Sequence, residues 1–341
     1  MEFLDSRSEE FNHSLKIARK SCGTHSEAKH LIDDSLFCDG VITVNVYGAW
    51  QTKYKCHAAV GIFFENGLQT PDGVDMNEAI LIYNATNNFD VQVSALSEAL
   101  NSLLYYKYRE ARIRTRSKHI ADLINYFDEN ENLKDFYLQS KGLEHLEEQM
   151  SVFYTLDVEF LSGREQLVDK AERLARNKLE EYVRDGIPIV YTDGACPRNG
   201  QPGAVAGGGV FWGPEHPWNK KCRVDGMQQT NNSGEYTAVR EALKTALNQN
   251  IDELIIRTDS QLLINSLTKF MDKWKRNGWI TYDGYPVKNQ SLLWEIDRLM
   301  GEMELVKFEK VLAHSGNEGN DGADQLAKEA AREAAHGYCR Y

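Results

Sequence analysis

The segment Ile187–Cys196 reads IPIVYTDGAC, and it decides the fold of the second half of the chain. Apolar residues run from Ile187 to Thr192 and stop at Asp193-Gly194, the pattern of a buried strand that meets a turn. Strand and helix patterns alternate after it, as in a single layered α/β unit. The predicted strands cover 187–192, 204–212, 220–224, 254–258 and 305–312, and the predicted helices cover 231–248, 260–267, 292–300 and 321–335.

The chain divides where a long helical pattern meets a glycine and a proline, in the stretch Arg184–Pro188 (RDGIP). Helices rarely continue through such a pair, so we place a domain boundary here. Before Cys38 the sequence is polar and carries one short helical pattern. We therefore expect a polar tail at 1–38, a first domain at 39–184 and a second at 187–336.

Composition limits the class of protein. Of the 341 residues 42% are apolar, enough for one or two buried cores and too many for a chain disordered throughout. Acidic residues exceed basic ones by 51 to 39, which argues against a protein that coats nucleic acid by bulk charge. Residues 187–341 hold 18 basic and 20 acidic residues, so most of the acid excess lies in the first half.

The sequence indicates no membrane partner. No apolar run approaches the roughly 18 residues of a membrane span, and Met1–Glu10 carries four acidic residues, unlike a signal or transit peptide. The cysteines are scattered without a CxxC pair, which favours a reducing compartment over a disulfide framework or a zinc site. We expect a location in the nucleus or cytoplasm.

Four acidic residues stand at the ends of predicted elements: Asp193, Glu235, Asp259 and Asp324. One such residue is usually a turn former or a helix cap. Four in one α/β unit would repel one another strongly if they were clustered without a cation. The pattern therefore indicates a cation site.

Four motifs in order resemble type 1 ribonuclease H: Tyr191–Gly194 (YTDG), Thr230–Glu235 (TNNSGE), Arg257–Ser260 (RTDS) and His314–Asp324 (HSGNEGNDGAD). The insertion Trp274–Trp279 (WKRNGW) looks like the basic protrusion of that family. The resemblance covers about residues 187–335. It implies a five-stranded mixed sheet flanked by helices, and an endonuclease that hydrolyses the RNA strand of RNA/DNA hybrids to leave 5'-phosphate and 3'-hydroxyl ends.

The resemblance also implies a role for each acidic residue. Asp193 would bridge two Mg²⁺ ions, for which Mn²⁺ would substitute; Asp324 would help to hold the ion that orients the attacking water. Glu235 and Asp259 would hold the ion at the leaving group. His314 looks like the histidine of the family that assists proton movement or product departure, the alternative being an ordinary surface histidine.

Substrate contacts follow from the resemblance as well. RNA differs from DNA by its 2'-hydroxyl, and Cys196, Asn199, Asn231 and Asn232 match the family positions that contact it. Phe270 and Trp274 match a groove for the DNA strand, and Thr230 and Asn289 match a phosphate pocket. Gln228 stands where the family commonly has arginine, which should weaken phosphate binding.

The tryptophans of the insertion have two interpretations. Trp274 and Trp279 could be ordinary packing residues. The basic side chains beside them favour a ridge that faces a nucleic acid duplex. These are Lys269, Lys273, Lys275 and Arg276.

The first half repeats motifs of the second. Val41–Trp50 (VITVNVYGAW) reads like Ile187–Cys196, and Arg112–Ser117 (RIRTRS) reads like Ile255–Ser260 (IIRTDS). Matches at 59–64, 97–100, 161–163 and 171–175 keep the same order. We therefore predict two tandem ribonuclease H-like domains, each a five-stranded mixed sheet flanked by helices.

On this alignment the first domain has lost its site. Tyr47, Gln92, Arg116 and Leu161 replace Asp193, Glu235, Asp259 and His314, which leaves Glu172 as the one acid. One carboxylate cannot hold two Mg²⁺ ions, and an arginine would repel cations. The stretch Asp128–Lys141, mostly acidic and polar, stands in place of the basic protrusion. We expect a scaffold that packs against the catalytic domain or a partner, or that mediates self-association.

A second function remains open from the sequence alone. The chain could be a catalytically silent module that binds hybrids or double-stranded RNA. Gln228 is the sequence feature that favours it.

Overall fold

The computed structural model describes residues 40–50, 53–54, 57–65, 77–83, 85, 87–127, 141–163, 166–226, 228–313 and 316–338. The predicted polar tail at 1–38 lies outside this part of the chain. Two compact units are present. The first contains the described residues up to Trp50 together with Ala58–Leu179, and the second contains Gln51–His57 together with Glu180–Tyr341.

The first unit is built on a mixed sheet of five strands in the order β3-β2-β1-β4-β5. Strands β1, β2 and β3 pair antiparallel, while β4 is parallel to β1 and β5 is parallel to β4. The elements in chain order are β1 (Ile42–Trp50), β2 (Ala58–Phe64), β3 (Glu78–Ile82), α1 (Asn88–Tyr105), β4 (Glu110–Thr115), α2 (Lys118–Phe127), α3 (Lys141–Met150), β5 (Thr155–Phe160) and α4 (Gln166–Glu180).

The second unit has a mixed sheet in which β9-β8-β7-β10-β11 follow one another. Again three strands pair antiparallel and two are added in parallel. Its elements are β6 (Val183–Arg184), β7 (Ile187–Ala195), β8 (Gly207–Phe211), β9 (Lys220–Arg223), α5 (Asn231–Asn248), β10 (Glu253–Thr258), α6 (Gln261–Asn265), a π-helical turn (Ser266–Phe270), α7 (Met271–Arg276), α8 (Gln290–Gly301), β11 (Leu305–Lys310) and α9 (Glu318–Tyr338).

The predicted mixed α/β class is confirmed, with one difference in the second sheet. The short strand β6 pairs antiparallel with the start of β7, so this sheet has six strands where five were expected. The extra strand arises because Asp185 and Gly186 both adopt positive φ angles, which turns the chain straight back onto Pro188.

The second unit includes a segment from far earlier in the chain. The hydroxyl of Tyr54 is hydrogen bonded to Asp252 and lies 3.1 Å from Oε2 of Glu253. Nε2 of His57 lies 2.8 Å from the carbonyl oxygen of Trp212, and His57 is buried. Burial lowers the pKa of His57 to about 4, so the ring is neutral at physiological pH.

The ends of several helices in the second unit differ from the pattern-based prediction. Thr230 caps α5 through a reciprocal pair of hydrogen bonds with Ser233, so the cap precedes the predicted Asn231–Ser233. Helix α9 begins at Glu318 rather than near Asp321, because Asn317 accepts a hydrogen bond from the backbone of Asn320. The predicted helix at 260–267 and the basic stretch after it form consecutive helical turns.

Helix α9 lies unusually close to strand β8 because β8 carries glycine there. A Cβ added to Gly209 would collide with the carbonyl oxygen of Ala323 and would lie 2.6 Å from the nitrogen of Ala327. The contact fixes the height of α9 over the sheet. No helix among the described residues is long and apolar enough to cross a membrane.

Candidate active site

Four elements carry the predicted acidic residues. Asp193 lies near the end of β7 and Glu235 in the second turn of α5, and both are buried. Asp259 follows β10 directly, and Asp324 lies in the second turn of α9 rather than in its first. Gly194 allows α5 to approach β7, since a Cβ there would collide with the backbone nitrogen of Glu235.

The fold brings these acids near enough for their charges to act on one another. Burial, and then the charges of Asp259, Asp324 and Glu235, raise the pKa of Asp193 to about 7. Burial raises the pKa of Glu235 to about 7 as well, with a further contribution from Asp259 and an opposing one from its hydrogen bond to Ser260. Both carboxyls therefore resist ionisation until a cation compensates their charge.

Neighbouring side chains hold three of the four carboxylates, and the backbone nitrogen of Gly194 donates to Asp193 at 2.7 Å. The hydroxyl of Ser260 donates to Glu235 at 2.6 Å, and Nζ of Lys328 donates to Asp324 at 2.5 Å. The amide of Asn320 lies 3.4 Å from Oδ2 of Asp259. Within the described ranges, no three His, Cys, Asp or Glu side chains are grouped closely enough to hold a metal ion.

The chemistry of the donor set fits a hard divalent cation. The available ligands are carboxylate oxygens, which Mg²⁺ and Mn²⁺ prefer. Burial is the main cause of the raised pKa values of Asp193 and Glu235 and the neighbouring acids add to it, so a cation bound here would oppose both causes. Asp324 pairs with Lys328 one turn along α9, and a cation bound by Asp324 would compete with this ion pair.

Three of the predicted RNA-side residues, Cys196, Asn199 and Asn231, form one hydrogen-bonded loop cluster, and Asn232 follows Asn231 on α5. The backbone nitrogen of Cys196 donates to Oδ1 of Asn231 at 2.9 Å, and the backbone nitrogen of Asn231 lies 3.4 Å from Oδ1 of Asn199. Thr230 caps the helix that carries Asn231 and Asn232. The side chains of Asn199, Thr230 and Asn231 thus support the loop itself, a role that the motifs alone did not reveal.

Phe270 ends the π-helical turn, and Trp274 lies on the next helix, α7, which we call the basic helix because it carries Lys273, Lys275 and Arg276. The rings of Phe270 and Trp274 are 5.7 Å apart. Trp274 and Trp279 are both half-buried and pack against the hydrophobic core of the second unit. The packing interpretation is therefore correct in part, because each tryptophan keeps an exposed side.

Gln228 and Asn289 line a pocket of about 810 Å³ together with Ser233 and Arg240. The backbone nitrogen of Asn289 donates to Oε1 of Gln228 at 3.2 Å. Arg240, the one guanidinium among the lining residues, lies 3.1 Å from Glu241 and 3.4 Å from Glu295. Its charge is thus compensated inside the protein.

One predicted site residue lies outside the described part of the chain, and three residues that contact the acids were not predicted. His314 lies outside the described residues. Sequence reasoning missed Ser260, Asn320 and Lys328, each of which contacts one of the acids. Ser260 and Lys328 could have been found, since Ser260 follows Asp259 as a helix cap and Lys328 stands four residues after Asp324.

Comparison with known proteins agrees with the motifs. The sequence model of the RNase H family matches residues 186–332. Ribonuclease H1 of Mus musculus is 38% identical over 207 residues, which cover 57% of this chain and 72% of that protein. Ribonuclease H1 of Homo sapiens is 40% identical over 167 residues, 49% of this chain and 57% of that protein.

Among solved structures, the crystal structure of RNase H1 from Halobacterium salinarum is 26% identical, covers 42% of this chain and 97% of its own, and has a TM-score of 0.32. The second unit is a mixed α/β unit with buried carboxylates at the ends of its elements, and the family model and the curated relatives make it a ribonuclease. The chain belongs to the ribonuclease H family, and residues 186–332 are its type 1 segment. The predicted family is confirmed.

Proposed function

We propose that the second unit is an endonuclease that hydrolyses the RNA strand of RNA/DNA hybrids and leaves 5'-phosphate and 3'-hydroxyl ends. The observation that carries this proposal is the coupling of Asp193 to Glu235, Asp259 and Asp324 at one place in the fold. The similarity to ribonuclease H1 proteins supports the same substrate.

The four carboxylates would hold two divalent cations, Mg²⁺ or Mn²⁺. Such ions, when bound, lower the pKa of a coordinated water and stabilise charge on the attacking and leaving oxygens. The residues of this chain supply the negative charge that holds them and fix its position. Ser260 keeps Glu235 oriented, and Asn320 does the same for Asp259. His314 would assist proton movement or product release.

Substrate recognition would use the residues on either side of this site. We assign contacts with the RNA strand to the loop cluster of Cys196, Asn199 and Asn231 and to Asn232, in part through backbone groups. We assign the DNA strand to Phe270 and Trp274, with Thr230 and Asn289 at a phosphate.

A cleavage assay with matched duplexes tests this function. The full chain is incubated with Mg²⁺ and a hybrid of about 20 base pairs whose RNA strand is labelled, beside RNA/RNA and DNA/DNA duplexes of the same sequence. We expect internal cuts in the RNA of the hybrid alone, ends that accept ligation to a 3'-hydroxyl, and no cuts in EDTA. Retention of the hybrid in a gel shift without cleavage would favour the silent binding module.

We further propose that the first unit is a second ribonuclease H-like domain whose site has been lost. The two sheets share strand order and direction, and Tyr47 pairs with Gly61 as Asp193 pairs with Gly209. A Cβ added to Gly61 would collide with the carbonyl oxygen of Ala171, as one at Gly209 would with Ala323. The repeat predicted from sequence is thus supported by matched backbone contacts.

Side chains of opposite charge occupy the place of the lost site. Arg116 forms ion pairs with Asp169 and Glu172, and Nε of Arg176 lies 2.8 Å from Glu172. Nη2 of Arg176 also lies 3.1 Å from the hydroxyl of Tyr47. A guanidinium thus compensates the remaining acids from within the chain. We infer that this unit holds no divalent ion and acts as a scaffold.

Replacing Arg116 tests the scaffold interpretation. Arg116→Ala removes a partner from both Asp169 and Glu172, and since the three side chains are partly exposed we expect a loss of about 1 kcal/mol in the stability of the first unit. Hybrid affinity and cleavage rate should stay unchanged. Urea unfolding and a hybrid-binding titration measure the two effects.

The matched control is Arg112→Ala, which removes an exposed pair with Asp157 at 3.6 Å. It should change stability by less than about 0.5 kcal/mol. A large loss of hybrid affinity in Arg116→Ala, absent in the control, would mean that the first unit contacts nucleic acid.

A positive charge added to the pocket that Gln228 and Asn289 line should strengthen hybrid binding. Gln228→Arg adds a positive charge to a pocket whose own arginine is already paired. We expect hybrid affinity to rise several-fold at low salt, and the slope of log K against log salt to steepen by about 0.9, the value for one added phosphate contact.

Asn248→Arg is the control for net charge, because it adds the same charge to an exposed position on α5, about 22 Å along the helix from Ser233. A similar gain in both variants would show that Gln228 does not lie at a phosphate.

A further inference from the structure

A hairpin after the basic helix carries two strongly exposed tyrosines. Tyr282 is 102% exposed and Tyr285 70%, which makes them the two most exposed aromatic side chains among the described residues. We call residues Ile280–Pro286 the aromatic hairpin. Its sequence, ITYDGYP, was not part of any motif used above.

Backbone hydrogen bonds hold the aromatic hairpin in one conformation. The backbone nitrogen of Thr281 donates to the carbonyl oxygen of Tyr285 at 2.7 Å. The backbone nitrogen of Gly284 donates to the carbonyl oxygen of Thr281 at 3.0 Å. Gly284 has a φ of +81°, a turn conformation that favours glycine. Ile280 and Pro286 form a β-bridge that closes the hairpin. The two rings are therefore presented from an ordered turn.

The aromatic hairpin is joined directly to the basic helix α7. The nitrogen of Trp279 donates to the carbonyl oxygen of Trp274 at 2.7 Å, and Nδ2 of Asn277 donates to that of Ile280 at 3.0 Å. Residues 269–288 hold five basic residues and two acidic ones, in a chain with a net charge of -12. Lys275 pairs with Asp297, and the remaining basic residues still exceed the acidic ones, so this stretch is more favourable for a polyanion than the chain as a whole.

We propose that Tyr282 and Tyr285 form a stacking surface for unpaired bases of the DNA strand where it continues beyond the hybrid. Exposed aromatic rings beside basic side chains bind single-stranded nucleic acid by stacking on base faces. Bases inside a duplex stack on one another, so only unpaired nucleotides offer a free face. The proposal rests on the proposed function, because Phe270 and Trp274, which precede the hairpin on the same basic stretch, are assigned to the DNA strand.

The test compares hybrids with and without an extension in binding titrations. The full chain, carrying Asp193→Asn to prevent cleavage, is titrated against a blunt hybrid and against hybrids whose DNA strand extends by six unpaired nucleotides at either end. We expect one extension to tighten binding. The gain should be about fivefold in affinity for each stacked base. The double substitution Tyr282→Ser with Tyr285→Ser should abolish the gain and leave the affinity for the blunt hybrid unchanged.

Two control variants separate stacking from other effects. Tyr282→Phe with Tyr285→Phe keeps the rings and should keep the gain. Tyr105→Ser changes a tyrosine that is 55% exposed in the first unit and should have no effect. A 2-aminopurine in the extension should lose fluorescence on binding to the unsubstituted tyrosines and not to the serine variant.

Two outcomes would overturn the proposal: no gain from either DNA extension, or the same gain in the serine variant. Failure of the proposed function is distinguishable, because the chain with Asp193 intact would then leave the blunt hybrid uncut.

Discussion

Asp193→Asn is expected to abolish cleavage of a blunt RNA/DNA hybrid while leaving the protein folded. The substitution keeps the shape of the side chain and removes the charge that three other acids surround. Cations at such sites supply several kcal/mol of transition-state stabilisation, and each 1.36 kcal/mol is tenfold in rate. We therefore expect a loss of about a thousandfold or more in kcat. Single-turnover cleavage of the labelled hybrid measures it.

The same variant should become more stable in EDTA and respond less to Mg²⁺. The pKa of Asp193 is raised above its ordinary value of 3.8 to about 7, so its ionisation destabilises the folded protein. The metal-free stability of the unsubstituted protein should accordingly fall as the pH rises from about 4 to about 7. The fall should be shallower in Asp193→Asn, because the amide does not ionise. Urea unfolding in EDTA across this pH range measures the difference.

Mg²⁺ should raise the melting temperature of the unsubstituted protein by an amount set by its concentration relative to Kd. Equal Mg²⁺ shifts in the two proteins would show that these carboxylates are not the ion site. Unchanged cleavage in Asp193→Asn would contradict the proposed function itself.

Gly209→Ala is expected to cause the second large effect. The new Cβ would collide with the carbonyl oxygen of Ala323, and Asp324 follows Ala323 directly on α9. Because backbone must move, we expect a loss of about 3 kcal/mol in the stability of the second unit. Displacing Asp324 by about 1 Å would lower cleavage roughly a hundredfold. Urea unfolding and hybrid cleavage measure the two losses.

Two glycines provide matched controls. Gly301→Ala places a Cβ at the end of α8 with nothing within 4 Å, so stability should change by less than about 0.5 kcal/mol. Gly61→Ala produces the corresponding collision in the first unit, with Ala171, and should lower stability without lowering cleavage. If Gly209→Ala behaves like Gly301→Ala, α9 does not depend on this close approach.

Much of the second unit could be predicted from local sequence. Apolar runs such as Ile187–Thr192 and Leu254–Thr258 indicated buried strands, and both are strands in the structure. Strands buried on both faces can be recognised in a sequence because nearly every residue in them is apolar. The acids stood at strand and helix ends, where the motif order also indicated the family that the comparisons confirm.

Other features depend on residues that are distant in the chain. The ion pair between Glu172 and Arg116 joins α4 to the residue that follows β4, 56 residues earlier in the chain. The inclusion of Tyr54 and His57 in the second unit depends on partners about 155 to 199 residues away. Neither follows from periodicity, which reports only which face of one element is apolar.

The sequence by itself determined the α/β class, the family and the four acids, because hydrophobic period and motif order are local properties of the chain. Only the tertiary structure decided how charge is compensated at each site. Asp193 is surrounded by acids while Glu172 is paired with arginines, and the pKa of a carboxyl depends on burial and on charges brought near it by folding. The tertiary structure also decided that Tyr282 and Tyr285 are exposed, since a tyrosine in a sequence is compatible with core and surface alike.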